Sequence, residues 1–289
     1  MRRHTAKGMT LVELVVVITL CAICASFMKL FLLTPIDAYT AQAQRAGLVD
    51  AADAALRLLA RDLRSALPNS IRVTASGSVY ALELLATTDG ARYNDAGPQS
   101  NAALWLDFSQ TDGAFSTTVP FSQSYSATTS YYLAIYNVGV TGANAYAIGS
   151  TSVSAPNVIT PPGTQITITA GATANAQLVT LSPAFQFAYG SPNKRVYLVS
   201  GPVSYLCDTS AGTLTRYSGY SISATQPSSA AALAAATSVG SVATNVGACS
   251  FAYAAGTATR GGMATLSLQL TNGGQRVQLV QQVHLVNAP

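Results

Sequence analysis

Glu13 is a carboxylate placed at the mouth of a segment that otherwise suits lipid. Gly8 and Met9 precede it, Arg2, Arg3 and Lys7 come before them, and an apolar run from Leu14 to Leu33 follows. Met9 to Leu33 is 25 residues. As a helix at ~1.5 Å per residue it would reach about 37 Å, enough for a hydrocarbon core of roughly 30 Å. The basic leader is expected to stay on the cytoplasmic side and send the rest outward. A charge at one end of such a segment is costly unless paired, so Glu13 reads as functional. A conventional signal peptide would be cut after its apolar core, and Ala22–Ser26 offers small residues for that. The apolar run continues past them to Leu33, longer than that signal requires.

The order of basic leader, Gly8, hydrophobic Met9 and Glu13 at the fifth position from Met9 resembles the processing signal of type IV prepilins and type II secretion pseudopilins. The resemblance implies cleavage between Gly8 and Met9 by a prepilin peptidase and N-methylation of the new Met9 amino group. It also implies that Glu13 pairs with the amino terminus of a neighbouring subunit during assembly. Met9 stands where the family more often has Phe, a departure that leaves the expected cleavage in place.

Composition fits an extracytoplasmic chain. Only 9% of residues are charged, and Ser, Thr, Ala and Gly are abundant. The formal charge of +4 is misleading, because three of the fifteen Lys and Arg are in the leader; the remaining twelve face eleven Asp and Glu, a balance of +1. No basic run interleaves with aromatics, so no nucleic-acid partner is expected. Cys21 and Cys24 fall inside the apolar segment, where they act as small apolar residues. Cys207 and Cys249 would face an oxidising periplasm, where a disulfide is expected.

The elements that must position these residues follow in order. Lys29 lies near the outer end of the span, and Pro35 removes a backbone donor just beyond it. Leu48, Val49, Ala52, Leu56, Leu59, Leu63 and Leu67 recur at spacings of three and four, one apolar stripe of a helix. Asp50, Asp53, Arg57, Arg61 and Arg64 take its other faces, with Asp53 and Arg57 a favourable i,i+4 pair. Pro68-Asn69 ends it. Turns and alternation predict strands at 78–86, 103–108, 131–138, 165–169, 177–181, 184–189, 195–206, 213–217, 249–253, 264–270 and 277–286. The clearest has Ala264, Leu266, Leu268 and Leu270 facing in, and Asn272-Gly273-Gly274 turns it into the last strand. The segment 221–247 reads as a long loop, with a helical turn or two at 230–236.

The expected organisation is therefore a leader at 1–8, a transmembrane helix half at 9–35, an amphipathic helix half at 36–67 and a periplasmic β-rich head at 68–289. That is an α+β, pilin-like fold, a long N-terminal helix packed on an antiparallel sheet. Within the superfamily, Leu48 to Val73, Val196 to Asp208, Cys249 to Tyr253 and Val283 to Pro289 are similar to the MshO-like minor pilins of mannose-sensitive haemagglutinin (MSHA)-type pilus biogenesis. The arrangement also resembles the J-class minor pseudopilins of type II secretion. These likenesses imply a minor subunit for filament initiation or tip assembly. Its partners would be the inner membrane, prepilin peptidase, other minor and major pilins or pseudopilins, and an assembly platform. The alternatives are a secretion pseudopilin or a pilus-associated glycan-binding adhesin.

Little else in the chain points to chemistry. With His4 in the leader, His284 is the one histidine left for a Ser-His-Asp or Cys-His site, and it falls in the last predicted strand. No Cys/His spacing suits zinc. Asp89, Asn94 and Asp95, or Asp107 with Asp112, are oxygen-rich but lack a calcium-loop pattern and read as turns. Gly261-Gly262 and Gly273-Gly274 have no phosphate-loop context. Tyr125, Tyr131, Tyr132 and Tyr136 are the densest aromatic group and the one feature that would suit a glycan. No enzymatic activity, cofactor or metal is expected.

Overall fold

The computed structural model describes residues 8–29, 31, 34–95, 104–150, 156–172, 176–256 and 261–285. The leader residues Arg2, Arg3, His4 and Lys7, and the strand ends predicted at Ala103 and Val286, lie outside these. Two helices open the chain, α1 (Leu11–Met28) and α2 (Thr34–Arg64). Pro35 is the second residue of α2.

Thirteen strands follow among the described residues, in two antiparallel sheets rather than one. The larger has the order β10-β9-β8-β2-β3-β7-β6-β4, with β1 (Arg72–Ser76) also on β2 and β5 (Tyr132–Ala134) also on β8. Its spine is β2 (Val79–Tyr93), fifteen residues paired along most of its length with β8 (Arg195–Asp208). The outlying members are β3 (Asp112–Val119), β4 (Tyr125–Thr128), β6 (Gln165–Ala170), β7 (Gln177–Phe185), β9 (Thr213–Ser218) and β10 (Ser238–Thr244). The smaller sheet is β11 (Val246–Ala254), β12 (Gly262–Asn272) and β13 (Gln275–Leu285), in that order. The chain passes from one sheet to the other at Asn245, whose left-handed backbone (φ 59°) separates β10 from β11. Gly273 and Gly274, at φ 56° and 77°, make the two-residue β12–β13 turn, a geometry that favours glycine at both positions.

Helix α2 joins the two sheets. Leu48, Ala52, Leu56, Leu59 and Leu63 share one core with Leu82 and Leu84 of β2, Tyr205 of β8, Leu214 of β9 and the inward row Ala264, Leu266, Leu268 and Leu270 of β12. Val49, expected in this stripe, is 41% exposed. The helix ends at Arg64, three residues short of the predicted Leu67. Its next backbone groups leave the helix to bond β2: Leu67 N–H donates to Leu85 O at 2.7 Å, and Thr87 N–H to Ser65 O at 2.8 Å. Two further clusters fill the distal half of the head, one around Phe115, Phe187 and Tyr93, the other around Leu67, Tyr146 and Val199.

Several predicted strands are corrected. Residues 104–108 form no strand; Leu106 is buried from an irregular segment, which mimics alternation. The strand predicted at 131–138 stops at Ala134, and Tyr136 with φ 56° cannot continue a ladder. The pair predicted at 177–181 and 184–189 is one strand, β7, running to Phe185 with Pro183 where no ladder partner stands. The 221–247 loop contains β10 and the start of β11, while 230–236 makes successive tight turns, with Leu233 N–H donating to Ala230 O and Ala236 N–H to Leu233 O.

Candidate processing and assembly site

Gly8, Met9 and Thr10 precede the helix and are exposed, Thr10 has extended backbone (φ −79°, ψ 152°), and Gly8 has open space where a side chain would be. Thr10 is the N-cap of α1: its hydroxyl accepts from Glu13 N–H at 3.3 Å, and its carbonyl accepts from Leu14 N–H at 3.1 Å. The cap satisfies a donor that the first helical turn cannot pair internally. The helix begins at Leu11, so the Gly8–Met9 peptide lies outside it. Thr10-x-x-Glu13 ahead of an apolar run is a helix-start pattern visible in the sequence but not read there.

Glu13 is in the first turn of α1, where the unpaired N–H groups favour a negative charge. Among the described residues it has no ion-pair partner. The helix behind it is uniformly apolar, with mean hydropathy 2.5 over Leu11–Met28 and no buried residue. Cys21 and Cys24 are free thiols on its exposed surface.

The candidate residues of the head are engaged in the fold. Cys207 of β8 and Cys249 of β11 form a disulfide between the two sheets, both residues lying in the core around α2. His284 is exposed on β13 opposite Met263. Among the described residues no three His, Cys, Asp or Glu side chains gather to hold a metal. Asp89 accepts from Ser122 N–H and hydroxyl at 2.8 and 2.6 Å and from the Tyr125 hydroxyl at 3.0 Å. Asp95 pairs with Lys194. Asp107 caps Ser109 and Gln110, which holds its carboxyl below the usual range, and Asp112 accepts from Asp107 N–H at 3.1 Å. These are turn and strand locks. Of the tyrosines, Tyr125 is buried against Phe121 and Tyr131, while Tyr136 meets the half-exposed Tyr189 edge to face.

Two buried carboxylates were missed in the sequence. Asp62 of α2 accepts from the Tyr205 hydroxyl and from Arg216 Nε, both at 2.7 Å, tying the helix to β8 and β9. Glu83 of β2, fully buried, is paired with Arg72 of β1 and accepts from the Tyr220 hydroxyl at 2.9 Å. Burial pushes the Glu83 carboxyl up, against the opposing pull of Arg72 and Tyr220. Arg72 also donates to the carbonyls of Ala224 and Ser223 and lies over the Tyr146 ring at 3.7 Å.

Residues 3–28 match the family described as the prokaryotic N-terminal methylation motif. Compared with curated proteins and with solved structures, the chain finds no match. The matched segment contains the exposed Gly8–Met9 junction, the Thr10 cap, Glu13 and all of α1, the one helix among the described residues long and apolar enough to cross a membrane. At its N-terminus the chain carries the processing signal of the type IV pilin-like prepilins, followed by a single apolar helix suited to the inner membrane.

Proposed function

We propose that the chain is a minor pilin of an MSHA-like type IV pilus, a non-catalytic structural subunit that helps initiate or tip the filament. The observation that carries the reading is the exposed Gly8–Met9 bond immediately ahead of a capped apolar helix with Glu13 in its first turn. Prepilin peptidase cuts that bond and methylates Met9 on the cytoplasmic side. Glu13 then attracts the cationic Met9 terminus of a neighbour while both lie in lipid. At low dielectric the attraction is strong and offsets the burial of each charge. Helix α2 carries the head on the periplasmic side, and the Cys207–Cys249 disulfide suits that compartment.

The test is the mature N-terminus of the full chain, expressed with a prepilin peptidase and read by intact mass and N-terminal fragmentation. A species beginning at methylated Met9 is expected. An uncut chain, or one cut near Ala22–Ser26, overturns the reading. Deletion then separates the pilus from its closest alternative: loss of surface piliation supports the minor pilin, whereas loss of enzyme export alone assigns a secretion pseudopilin.

A further inference from the structure

The solvent face of α2 is divided into an acidic and a basic step. Asp50 and Asp53 come first along the helix, then Arg57, Arg61 and Arg64. At ~100° per residue these five side chains fall within an arc of roughly 80°, opposite the buried Leu59. They are open to solvent: Asp50 and Arg64 are exposed, and the side chains of Asp53, Arg57 and Arg61 are 46%, 76% and 74% accessible. Arg57 bonds Asp53 in its own helix at 2.7 Å, and Arg61 is only loosely held, 3.6 Å from Asp62. Among the described residues Asp50 and Arg64 have no ion-pair partner.

The spacing makes this face its own complement. Asp50 to Arg61 is eleven residues, and Asp53 to Arg64 is also eleven. Eleven residues is close to three helical turns, so the members of each pair point the same way, about 16 Å apart along the axis. A second α2, parallel to the first and shifted by that distance toward the membrane, sets its Arg61 and Arg64 level with the first copy's Asp50 and Asp53. Both pairs form at one offset and the internal Asp53–Arg57 bond is kept. An unshifted parallel copy would instead set acid against acid and base against base.

We infer that two copies of this chain associate through the exposed face of α2, parallel and staggered by about three helical turns. The inference rests on the pilin reading, because anchoring through α1 is what makes the copies parallel. It adds a second contact to the one at Glu13. Met9 lies two residues before α1 and Glu13 is in its first turn, so the neighbour engaged there is displaced less than the one engaged by α2.

The stagger is tested by cross-linking full-length chains in inner membranes that also contain prepilin peptidase. Cys21 and Cys24 are replaced by alanine, one tagged chain carries Ala43→Cys, and a differently tagged chain carries Ala54→Cys. Both positions are exposed and eleven residues apart. Oxidation should give a mixed 43–54 disulfide in large excess over 43–43 and 54–54. Asp50→Arg with Asp53→Arg should abolish the mixed product when placed in the Ala43→Cys chain, and leave it when placed in the Ala54→Cys chain. Arg61→Asp with Arg64→Asp in the Ala54→Cys chain should restore the lost product. Equal yields from all combinations, a dominant 54–54 product, or cross-linking only to a protein of different mass would overturn the inference. Mass analysis of the same membranes separates the two readings: a chain beginning at Met9 without the mixed product sinks the stagger and leaves the pilin reading standing.

Discussion

Replacing Asp62 by alanine should loosen the head from the helix that carries it. The carboxylate is 7% exposed, and its Oδ2 holds both the wholly buried Tyr205 and Arg216. Removing one member of a buried ion pair costs about 3–5 kcal/mol, because its partner is left charged and dry. Here the Arg216 side chain is 28% accessible and recovers some water, which lowers the expected loss. The Tyr205 hydroxyl recovers none, and a buried group left without a partner costs about 1–3 kcal/mol. Together these place Asp62→Ala at about 3 kcal/mol, a fall in Tm of roughly 6–12 °C for a head of this size. Tyr205→Phe, which removes one hydrogen bond and leaves the ion pair, should cost about 1 kcal/mol. The assay is thermal and denaturant unfolding of the mature chain in detergent, followed by far-UV circular dichroism and Trp105 fluorescence. A double-mutant cycle of Asp62→Ala with Arg216→Ala should give a coupling above about 1.5 kcal/mol. A cost below about 0.5 kcal/mol for Asp62→Ala, or one no larger than that of Tyr205→Phe, would refute the argument that this charge pair fastens α2 to β8 and β9.

Three other outcomes follow from the same structure. Cys207 and Cys249 are 42 residues apart, so by chain entropy their replacement with alanine should cost about 4 kcal/mol in denaturant, and a cost under about 1 kcal/mol would mean the sheets hold together without the bridge. Glu83 has a carboxyl raised above 4.5 by burial, so its contribution to stability is full below that value and lost as pH rises through the raised one. Glu83→Gln should therefore gain on the wild type as pH increases from about 4 to 8; unfolding of both across that range checks it, and a wild type that gains instead would show Arg72 outweighing burial. Glu13→Ala should still be cut and methylated but be lost from sheared filaments, and normal incorporation of that variant would remove the charge-pairing step.

What could be read from the sequence follows from how local each physical cause is. Gly8, Met9 and Glu13 stand out because a charge beside a long apolar run is anomalous whatever the rest of the chain does. Ala264 to Leu270 is legible because one face of β12 is packed and the other is not, so its alternation survives in the residues themselves. β10 had no such signal: it is an edge strand with its first four residues exposed, and no packing selects their types. The misread 104–108 shows the converse, since Leu106 fills the distal core from irregular backbone and alternation arises without a ladder. The buried charges fall between these cases. Glu83 lies among Leu82, Leu84 and Leu85, and a carboxylate there demands a cation; the β1–β2 register supplies Arg72 as its direct cross-strand partner, only eleven residues away. Asp62 makes the same demand from the helix, but Tyr205 and Arg216 are 143 and 154 residues distant. A hairpin partner can be sought within one turn of the chain, whereas the partners of Asp62 exist only once β8 and β9 have been brought beside α2.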